Sequence, residues 1–115
     1  MQIRFGRAAA IAALAILSMV FASVQRATAQ HADGEQAKID LGKSTFAEKC
    51  SHCHGPNMVN SGTVTPDLRR FPDDQQRFVT TVKQGKNNRM PPWGDILSDD
   101  DIANLWAYVS SRRTP

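Results

Sequence analysis

Apolar residues recur along this chain at helical intervals, and no segment alternates convincingly as a strand, so the pattern predicts an all-α domain. From Ala37 to Cys50 the spacing Ile39, Gly42, Phe46, Cys50 keeps to one helical face, with Asp40, Lys43 and Lys49 on other sides. That is a helix delivering Cys50 at its end. Residues 55–72 carry Gly, Asn, Ser, Thr and three prolines, which is loop chemistry. A second helix opens at Pro72-Asp73-Asp74, with Asp73 as its expected cap and Phe78 and Val82 on its apolar side; Gly85 closes it. After Met90-Pro91-Pro92-Trp93-Gly94, which cannot be helix interior, Ser98-Asp99-Asp100-Asp101 reads as a capping box. Ile102, Leu105, Trp106 and Val109 follow at i, i+3, i+4 and i+7, giving the last helix one apolar stripe.

The N-terminus has a different pattern. Arg4 and Arg7 precede an apolar stretch from Ala8 to Val24 and the small-residue run Ala27-Thr28-Ala29, so residues 1–29 are expected to be a cleavable secretory signal peptide. An uncleaved anchor is the competing reading, since this stretch sits at the short edge of the spanning range. Residues 30–36 are expected to be a flexible N-terminus and 37–115 a single domain. The formal net charge of +3 belongs to the precursor. Without Arg4, Arg7 and Arg26, 11 basic residues face 11 acidic ones, and nothing supports nucleic-acid binding. The remaining 86 residues are few for a self-sufficient apolar core, so a staple, metal or cofactor is expected.

Cys50-Ser51-His52-Cys53-His54 supplies a candidate: CxxCH is the attachment pattern of a c-type haem. Residues three and four apart are neighbours on a helical turn, so Cys50, Cys53 and His54 can present from one face. Two thiols can then tether the macrocycle through thioethers while His54 binds the iron. A thioredoxin-like CxxC lacks its βαβ context, and for the four ligands of a zinc site the only donors beyond Cys50 and Cys53 are His31, His52 and His54, crowded or far upstream. A disulfide across two residues would close a loop too small to help much.

The order CSHCHG, then MPPW, then ILSDDDIANLWAYV resembles class I bacterial cytochromes c over about residues 37–112. That resemblance implies a cytochrome c fold, with three main helices wrapped around one covalently bound haem c. It also implies that Gly42 and Phe46 pack against Leu105 and Tyr108, and that the Pro66 carbonyl receives the proton of the His54 imidazole. The family's Met-Pro pair falls on Met90-Pro91, making Met90 the second iron ligand beside His54. Met58, four residues after His54, reaches at most about 14 Å and would have to double around the ring; His31 is the runner-up donor. Met/His ligation fills both axial sites and raises the reduction potential. The implied function is a periplasmic one-electron carrier, not an enzyme, monomeric and without stable membrane association. The alternative is a haem ligand sensor or peroxidase-like enzyme with an open distal site.

Electron-transfer contacts are small, so Met58, Val59, Pro91, Pro92 and Trp93 are candidates for a docking patch bordered by Lys86 and Arg89. Trp93 is equally readable as packing against the cofactor, with its indole N–H on a haem propionate. HGPNMVNSGTV and NNRMPPWGDIL further resemble the small cytochromes that accept electrons from quinoprotein (PQQ) alcohol dehydrogenases; an oxidase-linked or other respiratory carrier is the other reading. The implied partners are therefore a donor dehydrogenase and an acceptor oxidase.

Overall fold

A computed structural model describes residues 6–60 and 65–114, with backbone alone for 6–24 and 26. The first five residues of the expected signal peptide, Arg4 included, lie outside the described residues. The chain divides into two units, 1–34 and 35–115. The helices are α1 (Gly6–Lys49), α2 (Ser51–His54), α3 (Gln75–Gln84) and α4 (Asp99–Ser111), with a 3-10 turn at Leu68–Arg70. Among the described residues there is no strand, only an isolated antiparallel bridge between Lys86 and Met90, and no helix is long and apolar enough to cross a membrane.

In the first unit, α1 is exposed at Gln25 and from Ala27 to Gly34. The helix continues through 30–36, where the sequence suggests a flexible stretch; Ala32, Glu35 and Gln36 are all good helix formers.

The second unit holds the core. Phe46, Met58, Phe78, Val82, Ile102, Leu105, Tyr108 and Val109 form one buried cluster. On α1, Gly42 and Phe46 are buried while their neighbours are largely exposed, so the expected helical face is the one used. Gly42 lets α1 and α4 approach closely: a Cβ there would collide with the Asn104 carbonyl and come within 2.9 Å of Tyr108 Cβ. One turn on, Phe46 meets Tyr108 edge-on, with ring centroids 5.6 Å apart. Phe71, Phe78 and Trp106 form a second aromatic group, each pair of rings within 6.4 Å. Tilted and edge-to-face pairs of this kind add about 0.5–1.5 kcal/mol each beyond their buried area.

The caps explain where the helices begin. Ser98 Oγ accepts from Asp101 N at 3.1 Å and Asp101 Oδ2 accepts from Ser98 N at 3.0 Å, the reciprocal box expected from the sequence. The cap of α3 is Asp74 and not Asp73: Asp74 Oδ1 accepts from Arg77 N at 2.9 Å. Asp73 instead pairs with Arg113 at 2.8 Å. The 3-10 turn falls inside the expected loop, and is held by Asp67, whose side chain accepts from Arg69 N and from Nε and Nη2 of the Arg69 guanidinium.

Candidate cofactor site

Cys50 caps α2, and the main chain then closes a single helical turn, with His54 N donating to Cys50 O at 3.0 Å. Gly55 ends it at φ 80, where a side chain would run into the Val59 carbonyl. Asn60 Nδ2 donates to the Cys53 carbonyl at 2.7 Å and ties the following loop back to the turn. Cys50 and Cys53 are free thiols.

Met90 arrives from the opposite end of the sequence on a segment pinned by main-chain bonds. Lys86 N donates to Met90 O at 3.0 Å and Met90 N to Lys86 O at 3.1 Å. Further on, Trp93 N donates to Val82 O at 3.0 Å and Gly94 N to Lys83 O at 3.2 Å, so the loop folds back along the end of α3. Gly85, at φ 71, lies against Met90, Pro91 and Pro92.

These two segments meet at one apolar cavity that is partly open to solvent. Cys50, His54, Met90 and Trp93 all line it, with Phe46, Leu68, Phe71, Phe78, Thr81, Val82, Leu97, Leu105 and Val109. The lining is apolar apart from Thr81 and His54. Burial holds the His54 imidazole below its ordinary pKa, which favours the neutral, metal-binding form. Burial, reinforced by the neighbouring Cys53 thiol, pushes Cys50 up to about 11.

His54 Nδ1 is buried and makes no hydrogen bond among the described residues. An unpaired buried nitrogen costs about 1–3 kcal/mol, so the imidazole keeps unused capacity inside a greasy cavity. With a thioether donor and a thiol on the same cavity, the residues fit a flat, mostly apolar macrocycle carrying iron.

Two expected site residues stand elsewhere. Pro66 is exposed, and no hydrogen bond joins its carbonyl to His54 Nδ1 among the described residues. Cys53 is exposed and does not line the cavity, unlike Cys50 and His54 on the same turn. Met58 is fully buried in the core with φ 65, which removes it from any docking patch; Val59 is half-buried, and Pro91 and Pro92 are exposed. Leu68, Phe71 and Leu97 are wall residues that the sequence reading missed; their only signal was being apolar within polar stretches.

A CxxCH turn whose first cysteine and histidine line the same apolar cavity as a methionine, in an all-α unit, defines the class of small c-type cytochromes. Residues 37–109 match the family model described as cytochrome c oxidase, cbb3-type, subunit III, and the chain belongs to this family of c-type cytochrome domains. Among curated proteins it is 33% identical over 78 residues to quinohemoprotein alcohol dehydrogenase ADH IIB of Pseudomonas putida, covering 65% of this chain and 11% of that protein. It is 31% identical over 83 residues to the cbb3-type cytochrome c oxidase subunit FixP of Azorhizobium caulinodans, covering 68% of this chain and 28% of that subunit. It is also 35% identical over 83 residues to cytochrome c6 of Tetradesmus obliquus, covering 64% of this chain and 89% of that protein. The chain thus spans only a small part of the dehydrogenase and the oxidase subunit, but most of the length of cytochrome c6. No solved structure matches it.

Proposed function

We propose that this chain is a one-electron carrier with no reaction of its own, holding one haem c through Cys50 and Cys53 thioethers and through His54 and Met90 on the iron. The observation that carries this reading is the convergence of Cys50, His54 and Met90, residues up to 40 positions apart, on one apolar cavity. When bound, the haem iron supplies a one-electron Fe(II)/Fe(III) couple. His54 presents a neutral imidazole from a turn anchored to Cys50, and Met90 presents a soft thioether from a loop anchored to Lys86. The apolar walls keep water away, and so tune the potential along with the axial pair.

Residues 1–29 serve as the export signal in this proposal, and the carrier works in the periplasm. There it takes electrons from a dehydrogenase, a quinoprotein alcohol dehydrogenase among the candidates, and passes them to an oxidase. What supports these partners is that relatives named as a quinohemoprotein alcohol dehydrogenase and as a cbb3-type oxidase subunit contain a domain like this one. Pro91, Pro92 and Trp93, bordered by the exposed Lys86 and Arg89, form the docking surface.

The test begins with holoprotein from cells able to mature c-type cytochromes. Its mass after denaturation should include one haem and leave no alkylatable thiol. The ferric form should show the sulfur-to-iron absorption band, and the ferrous form should bind carbon monoxide slowly. Met90→Ala should remove the band and lower the potential. Rapid carbon monoxide binding by the unaltered protein, with no such band, would replace the carrier by a sensor or peroxidase with an open distal site.

A further inference from the structure

The conformation that brings Met90 to the cavity is set by the two residues at the tip of its loop. Asn87 and Asn88 have φ of 56 and 53, consecutive left-handed positions in a non-glycine sequence. Arg89 N donates to Lys86 O at 3.1 Å, closing a four-residue turn with both central residues left-handed, the type I′ geometry. The pair of bonds between Lys86 and Met90 encloses that turn, with Arg89 as an extra residue on the returning side. Both asparagines are exposed, and neither side chain makes a hydrogen bond among the described residues.

We infer that Asn87 and Asn88 are positioning residues for the Met90 thioether, acting through main-chain conformation and not through their side chains. The inference rests on the reading of Met90 as an iron ligand. Left-handed backbone is unfavourable for most L-residues, by about tenfold or more per position, while Asn tolerates it through its short polar side chain. Two in succession preset a turn that few other dipeptides would hold. The turn registers Lys86 opposite Met90, and Gly85 lets the returning chain lie against the end of α3. Met90 therefore reaches the cavity on a loop held by main-chain bonds of its own.

The test compares three full-length holoproteins with the unaltered chain: Asn87→Ala/Asn88→Ala, Asn87→Gly/Asn88→Gly and Met90→Ala. Readouts are the sulfur-to-iron band of the ferric form and the fraction of ferrous protein that binds carbon monoxide rapidly. The double alanine variant should weaken the band and raise the rapidly binding fraction by about tenfold or more, because alanine disfavours the left-handed region. The double glycine variant should keep the band, since glycine takes this conformation freely although it lacks the side chain. If the double alanine variant does not accumulate as folded holoprotein, Asn88→Ala alone is read by the same criteria. An alanine variant indistinguishable from the unaltered protein overturns the inference, as does a glycine variant as impaired as the alanine one. If Met90→Ala leaves both signals unchanged, the ligand reading fails and takes this inference with it. If Met90→Ala alters them and the asparagine variants do not, only the turn's role is refuted.

Discussion

Gly42 on α1 sits directly beneath the main-chain carbonyl of Asn104 on α4, close enough that a single added methyl group would overlap it. The obstacle is backbone, which cannot rotate aside as a side-chain end could. Gly42→Ala should therefore destabilise the holoprotein by about 1–3 kcal/mol through overpacking, more than the roughly 1 kcal/mol that alanine gains over glycine within a helix. A urea titration followed by far-UV circular dichroism reads this as a lower midpoint. An unchanged or raised midpoint would mean that the two helices part at little cost.

Ser98 and Asp101 start α4 by accepting from each other's amide groups. Ser98→Ala should cost about 1 kcal/mol, the usual worth of a cap. The hydrogen bonds from Ser98, hydroxyl first and amide second, hold the Asp101 carboxyl below the usual carboxylate range. A depressed folded-state pKa means that the contribution is present above about pH 3.8 and is lost as pH falls through the lower folded value. Acid titration of the unaltered protein should accordingly show a destabilising step at that end. The step should shrink in Ser98→Ala, and an equal step in both proteins would separate Asp101 from it.

Features decided within a few residues were legible in the sequence. The Ile39-Gly42-Phe46-Cys50 face, the Ser98–Asp101 box, Gly85 as a stop and the CxxCH turn each depend on local spacing, and each lies where expected. Features decided by distant neighbours were not. Pro72-Asp73-Asp74 offers two carboxylates as caps, and Arg113, some 40 residues on, pairs with Asp73 and leaves Asp74 on the amide. Met58 is one apolar residue in a polar stretch, yet tertiary closure buries it completely. Likewise the chemistry of Cys50, His54 and Met90 could be read from residue type, whereas the walls supplied by Leu68, Phe71 and Leu97 required the fold.

The two cysteines should differ in reactivity before haem is attached. Cys50 is half-buried and its thiol is raised from 9.0 to about 11, while Cys53 is exposed. A shift of that size leaves Cys50 about a hundredfold less thiolate than an ordinary thiol near neutral pH, and thiolate is the species that alkylates. In haem-free chain that retains its helical circular dichroism, iodoacetamide at pH 8 should label Cys53 first. Peptide mass mapping over time checks the order; equal rates would mean that α2 does not keep its fold without the cofactor.

Gly85 and Gly34 are both glycines, but the structure assigns them opposite outcomes on mutation to alanine. Gly34 is exposed within α1 and a Cβ there would meet nothing within 4 Å, so Gly34→Ala should be neutral or stabilise the helix by up to about 1 kcal/mol. Gly85 is at φ 71, and its Cβ would collide with the Met90 carbonyl and lie 2.9 Å from both Pro91 C and Pro92 N. Every one of those atoms is main chain, so relief requires the end of α3 and the methionine loop to separate. Gly85→Ala should cost about 2–4 kcal/mol, overpacking and left-handed strain together. The same displacement should carry Met90 away from the cavity. Thermal melting combined with carbon monoxide binding distinguishes the effects: Gly85→Ala should lower the melting temperature and speed carbon monoxide uptake, while Gly34→Ala should leave uptake unchanged. A Gly85→Ala protein that melts early but binds carbon monoxide as slowly as the unaltered chain would show that the loop holds Met90 without help from the end of α3.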